Sequence, residues 1–239
     1  MGLFDVFKGG GGGIKKHVAR VANKRAQQHE RWESIQVLAD DGSEEALRAL
    51  LTRFTVRVDP SITDGEEKNA AFQGVVKNGD AAIGPVRDFL ETADTLAWPL
   101  KILKELQSEE EVTGTLLELL SKMDIEYERD PQKKIDIIAS LEERKDPRIV
   151  AVVTPFLDDM NETARFHAVC AIFAQAEAGD ATDALTQALL AEESVRVRMM
   201  IVNGFIERDW KISGPKDEVV KKLPDGYSLG KKGEVRKRR

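Results

Sequence analysis

Only one cysteine, Cys170, occurs in the 239 residues, so neither a disulfide framework nor a thiolate-held metal site can be built. It sits in Ala168-Val169-Cys170-Ala171-Ile172-Phe173, where the ordinary role of a thiol is that of a small buried hydrophobe. One unpaired cysteine suits a reducing cytoplasm. Aromatics are scarce too, at 6%, and Leu, Ile, Val and Ala carry most of the apolar content. That balance suits helices packed by aliphatic side chains better than a β-sandwich. No run approaches the roughly 18 apolar residues of a membrane-spanning helix. Leu3 to Phe7 is too short for the apolar core of a secretory signal.

Chemistry-bearing patterns are equally thin. His17, His29 and His167 lie far apart in sequence, without the His-and-carboxylate spacing that holds a metal on a helix. No Gly-x-Ser-x-Gly elbow appears, and Gly9 to Gly13 lacks the Lys-Ser/Thr of a phosphate loop. Cys170 has only His167 near it, three residues away on one helical face. These absences predict a protein without catalysis, cofactor, metal or small-molecule substrate.

Charge is abundant but unevenly placed. The net charge is −6, yet residues 1–35 carry +4 and residues 211–239 carry +6, leaving −16 on residues 36–210. An acidic body predicts a protein partner with a basic docking surface. It opposes nucleic-acid binding, whose affinity comes mainly from Lys and Arg neutralising phosphates.

The pattern along the chain is helical and repeats. Residues 1–13 are a short apolar head followed by a glycine tether, Gly9 to Gly13. From Ile14 to about Asp40, Ile14, Val18, Val21, Trp32, Ile35, Leu38 and Ala39 recur at spacings of three and four, and Gly42 supplies a stop. Short helices are then expected to open at Ser43, Asp80, Ser108, Asp146 and Asp180, each a residue type that caps free amides. Their separations are 37, 28, 38 and 34 residues. Upstream of each lies a second helical run, at 24–40, 65–77, 95–106, 131–144 and 161–176, with another at 194–208. Two helices per period in the mid-thirties predict an all-α fold: a right-handed α-α solenoid of five to six hairpins over 14–210. Thr55 to Pro60 is expected to be an extended connector and Ile125 to Asp130 a linker. Residues 211–239 are expected to give a short helix at 215–222, then an irregular basic tail from Leu223.

The later half resembles the bacterial HEAT-repeat family. The resemblance rests on Asp146-Pro147 with Ile149, Pro155-Phe156-Leu157-Asp158, Thr163-Ala164-Arg165-Phe166-His167-Ala168-Val169, Gly179-Asp180-Ala181 and Val195-Arg196-Val197-Arg198. Fainter copies occur at 79–86 and 43–54, so that it spans about 24–208. The tetratricopeptide array has a similar period, but its Trp-Leu-Gly-Tyr pattern is absent. In HEAT-like proteins the motif aspartate and arginine bridge successive repeats, so the resemblance implies structural roles for Asp146, Arg165, Asp180 and Arg198. It also implies a scaffold or adaptor, with alkylpurine DNA glycosylases a catalytic minority.

The leading expectation is therefore a bacterial, cytoplasmic, non-catalytic adaptor that binds a protein along its repeats. In such solenoids the second helix of each pair lines the inner face, which selects Arg48, Arg53, Arg87, Glu118 and Gln187 as exposed partner-binding candidates. The alternative is a peripheral scaffold at the inner membrane face. Leu3, Phe4 and Phe7 share one side of a helical turn, and Lys15 and Lys16 follow, as in an interfacial anchor on anionic lipid. Lys231, Lys232, Arg236, Lys237, Arg238 and Arg239 form the basic tail, suited to an acidic protein surface, lipid or no partner at all.

Overall fold

The computed structural model describes residues 12–175 and 181–238. Leu3, Phe4 and Phe7, the tether residues Gly9 to Gly11, the expected opening residue Asp180 and the last basic residue Arg239 lie outside the described residues. Thirteen α-helices and one two-stranded ribbon make up the regular structure of the rest, an all-α fold with a small β appendage. The chain divides into two compact units, Met1–Val112 and Thr113–Arg239.

Unit 1 holds α1 (Gly12–Val21), α2 (Gln28–Asp41), α3 (Glu44–Thr52), α4 (Ser61–Val76), α5 (Ile83–Thr92), α6 (Ala97–Leu106) and the start of α7 (Glu109–Ser121). Gly12 and Gly13, expected to belong to the tether, instead form the first turn of α1. The expected run from Ile14 to Asp40 is two helices. Asn23 breaks it, accepting the Arg25 amide at 2.9 Å in a local turn that competes with helix. Gln27 and Glu30 then cap the start of α2 reciprocally. Gly42 ends α2 with φ +63° and donates its N–H to Leu38, the left-handed cap that favours glycine. Ser43 caps α3 by accepting the Ala46 amide. Asp80 does not open α5: residues Gly79–Ala82 form a 3-10 turn, and α5 starts at Ile83.

Within unit 1, α2 packs on α4 and α4 on α6, while α3 packs on α5 and α1 lies against both α2 and α3. Ile35, Leu38, Leu47, Leu50, Leu51, Val75, Val86, Leu90, Ile102 and Leu103 are all at most 1% exposed. Complete burial of each stabilises by about 1.5–3 kcal/mol relative to exposure.

Unit 2 holds the rest of α7, α8 (Gln132–Glu142), α9 (Arg148–Val153), α10 (Glu162–Ala174), α11 (Thr182–Ala191), α12 (Val195–Glu207) and α13 (Lys216–Lys222). Here α8 packs on α10 and α10 on α12, and α11 packs on the 3-10 turn Thr154–Asp158 and on α13. The expected runs at 131–144, 161–176 and 194–208 thus appear as α8, α10 and α12. Pro131, the first residue of the expected run, stands just before α8 rather than in its first turn, and Asn161 and Ser194 cap α10 and α12.

The tail beyond Leu223 is not irregular. β1 (Tyr227–Leu229) pairs antiparallel with β2 (Val235–Lys237), and Lys211 bridges to Glu234. The ribbon forms because one side has something to bury. Tyr227 and Val235 are each 7% exposed, and the Tyr227 hydroxyl donates to Asn203 of α12 at 2.8 Å. The basic residues Lys231, Lys232, Arg236, Lys237 and Arg238 remain exposed around it.

Candidate functional site

The five residues expected to face a partner divide between the units, with Arg48, Arg53 and Arg87 in unit 1 and Glu118 and Gln187 in unit 2. Glu118 is exposed on α7, paired with Lys122 one helical turn on, and Gln187 is exposed on α11. Arg87 is half-buried on α5. Arg53 overturns the expectation of exposure: it is 0% exposed. It stands at the end of α3, where the chain tightens into a 3-10 turn, and faces inward.

A five-membered ion network explains that burial. Glu67, 0% exposed, accepts from Arg31 Nε and Nη2 at 2.9 and 2.8 Å and from Arg53 Nε at 2.9 Å. Arg53 Nη2 donates to Asp64 at 2.8 Å and its Nη1 to the Val56 carbonyl at 3.0 Å. Asp64 also accepts from Lys68 and the Val58 amide. Burial by itself would raise the Asp64 pKa, but the bonds from Lys68, Arg53 and Val58 outweigh it and bring the group down to about 2. The folded-state value lies below the ordinary 3.8. The network's contribution is therefore complete above that value and lost as pH falls from 3.8 towards 2. Urea midpoints measured between pH 5 and pH 2 should fall across this window, and Asp64→Asn should be less stable at pH 7 with a shallower acid fall. An unchanged acid profile in the variant would remove Asp64 from the account.

Arg48 is where the surface is organised. On α3, Ala46, Leu47, Leu50 and Leu51 turn inward and leave Glu44, Glu45, Arg48 and Thr52 outside. On α5, Pro85, Val86 and Leu90 turn inward and leave Asp88 and Glu91 outside. Arg48 Nη2 donates to Glu44 on its own helix at 2.9 Å and to Asp88 on α5 at 2.5 Å. The Asp88 bond, then the Glu44 bond, raise the Arg48 pKa above its ordinary value.

A groove lies on each side of this bridge. Between α1 and α3 the lining is Val18, Glu44, Glu45, Arg48, Ala49 and Thr52. Between α3 and α5 it is Arg48, Leu51, Pro85, Asp88, Phe89, Glu91 and Thr92. Each has an apolar floor, a carboxylate rim and Arg48 in common. Such a site can seat an apolar side chain while pairing with a flanking Lys or Arg. Of the predicted candidates only Arg48 lines either groove. Asp88 and Phe89 were missed, although their place beside Pro85 on one short amphipathic helix was readable.

Of the residues singled out by the repeat motif, Asp180 lies outside the described residues, and among the other three no aspartate-to-arginine bridge between repeats is formed. Asp146 accepts from the Arg148 amide and guanidinium within its own turn, which consumes its carboxylate. Arg165 reaches across to Glu192 instead, at 2.7 and 2.9 Å, and to the Asp159 carbonyl at 2.8 Å. Arg198 donates to the Lys222 carbonyl at 3.3 Å. Lys134, 1% exposed, pairs with the buried Asp159 at 2.7 Å and donates to the Asp124 carbonyl.

Burial first, then the Glu142 carboxylate, push the Cys170 thiol up to about 12, so that almost none is thiolate at neutral pH. His167 Nδ1 is hydrogen-bonded to Glu142. Among the described residues no three His, Cys, Asp or Glu side chains gather as a metal site would require. Trp98 stacks on Phe54 at 5.0 Å, and Trp210 packs on Phe173 at 5.4 Å. Compared with models of protein families and with curated proteins, the chain matches none of them.

Proposed function

We propose that this protein is a non-catalytic scaffold that binds a protein partner, and that the groove between α3 and α5 seats an apolar side chain of that partner flanked by Lys or Arg. The observation that carries this is the pairing of an apolar floor, Leu51, Pro85 and Phe89, with the carboxylates Asp88 and Glu91 at the rim. A buried apolar anchor supplies affinity, and rim charges supply orientation and rate. The −16 balance of residues 36–210 supports a basic partner and disfavours a nucleic acid.

Stacked HEAT-like hairpins belong to the same proposal. In both units alternate helices pack side by side, α2 on α4 on α6 and α8 on α10 on α12, as successive hairpins do when none can bury its faces alone. The proposed setting is a bacterial cytoplasm. Among the described residues no helix is long and apolar enough to cross a membrane.

The test is affinity capture from the native host with the wild-type chain and with Asp88→Lys/Glu91→Lys. Like charges brought together across an interface cost several kcal/mol, so the variant should retain less than about a tenth of the captured partner. Its melting temperature should stay close to that of the wild type, since both side chains are exposed. Gln187→Lys in unit 2 should capture normally. Undiminished capture by the double reversal would refute the α3–α5 assignment.

A further inference from the structure

We propose that the two grooves beside Arg48 are one site, filled by a single extended segment of a protein partner that carries two apolar side chains three residues apart, with Lys or Arg between and around them. The α3–α5 half is the groove assigned above, so this proposal rests on that reading. It adds the second anchor, in the α1–α3 groove, and the form of the segment.

The grooves share a wall and a chemistry. Arg48 lines both, and α3 runs between them. Val18 and Ala49 form the floor of one, with a volume of about 560 Å³. Leu51, Pro85 and Phe89 form the floor of the other, with about 400 Å³. Each has room for a large apolar side chain. Glu44 and Glu45 stand at the first rim, Asp88 and Glu91 at the second. Among these four acids and Arg48, negative charge exceeds positive by three, which complements a cationic segment lying across both.

The spacing selects an extended chain. α1 and α5 both pack on α3, and packed helices lie about 8–10 Å apart, so the two grooves are separated by about that distance. Three residues of polyproline-like chain advance about 9 Å. Two residues of a β-strand advance only about 7 Å. An amphipathic helix covers the distance in two turns, but it brings a third apolar side chain midway, where it would meet the Arg48 guanidinium.

Arg48 supplies the third argument. Its Nε and Nη2 are bonded to Glu44 and Asp88, which holds the guanidinium beside both grooves. Nη1 has no hydrogen-bond partner among the described residues, and the residue is exposed. A helix satisfies its own carbonyls, whereas an extended segment leaves them unpaired. Nη1 can therefore donate to a carbonyl of the segment between its two anchors.

Fluorescence anisotropy in low salt tests this with the full-length chain and a labelled peptide, Lys-Lys-Phe-Lys-Pro-Phe-Lys-Lys. Two single-anchor peptides, each with one Phe replaced by Ser, are the comparison. The two-anchor peptide should bind at least about ten-fold more tightly than either, because its second contact is made within one complex. Glu45→Lys/Thr52→Lys, both exposed and both on the α1–α3 groove alone, should bring it down to the single-anchor level. Asp88→Lys/Glu91→Lys should do the same from the other side. Equal affinity of the one- and two-anchor peptides for the wild-type chain overturns the shared site, and so does undiminished binding by Glu45→Lys/Thr52→Lys. If Asp88→Lys/Glu91→Lys alone weakens binding, the α3–α5 groove stands as a single anchor. If neither double variant weakens it, both readings fall. No binding of the two-anchor peptide up to about 1 mM also overturns the shared site, and the capture experiment then decides the α3–α5 groove by itself.

Discussion

Glu67→Ala should cost about 3–5 kcal/mol, the range seen when one partner of a buried ion pair is removed. Marginally stable domains have little more than that to lose. Among the described residues Glu67 is the only carboxylate that accepts from Arg31, and it shares Arg53 with Asp64. Without it Arg31, 4% exposed, keeps only the Ala26 carbonyl among the described residues, and Arg53, 0% exposed, keeps half its charge compensation. Two guanidinium groups would then sit out of water with one remaining buried carboxylate between them. Urea denaturation followed by helical circular dichroism reads the loss directly. Replacing the three central residues together, Arg31→Met, Glu67→Leu and Arg53→Met, should recover most of it, because apolar groups of similar volume remove the unpaired charge. A Glu67→Ala chain with wild-type stability would mean that water reaches these guanidinium groups and that the network is ornamental.

Phe205→Ala should be comparably severe in unit 2, at about 3–5 kcal/mol. Phe205 is fully buried and packs edge-on against Phe173 at 6.0 Å and Trp210 at 6.3 Å. Its surroundings cannot collapse into the space left. Gly204 beside it already lies so close to the Phe173 ring that an added Cβ would sit 2.3 Å from a ring carbon. Two elements then lose support: the Trp210 amide, which donates to the Phe205 carbonyl at 2.9 Å, and the terminal ribbon held by Asn203 of the same helix. The urea midpoint should drop accordingly, with the amides of Tyr227–Leu229 and Val235–Lys237 losing protection from exchange first. Gln187→Ala, exposed on α11, should stay within about 0.5 kcal/mol of wild type. Equal effects from the two substitutions would show that Phe205 is not a keystone of this core.

The fate of Arg53 shows where sequence reading reached its limit. Arg48 and Arg53 are five residues apart, which turns them about 140° from each other on a helix, so they could not share an exposed face. That much was readable. A matching signal lay in α4, where Asp64 and Glu67 occupy the stripe that continues through Ala71 and Val75, all buried. Acids in an apolar stripe announce buried partners, but not which cations they meet. The bonds that settle it join residues 36 and 14 positions apart.

Sequence by itself determined most of the helices and part of their punctuation, though not the break at Asn23 or the 3-10 turn at Asp80. Apolar spacing of three and four, Ser43, Asn161 and Ser194 at helix starts, and Gly42 at a helix end are local preferences, each satisfied within a few residues of itself. Tertiary structure alone decided what those helices do to one another. It folded the basic tail into a ribbon because Tyr227 and Val235 found α12, drew Arg165 to Glu192 once Asp146 was taken by Arg148, and laid Arg48 across to Asp88 so that one bridge divides two grooves. Such pairings depend on which surfaces meet in space, and no local preference encodes that.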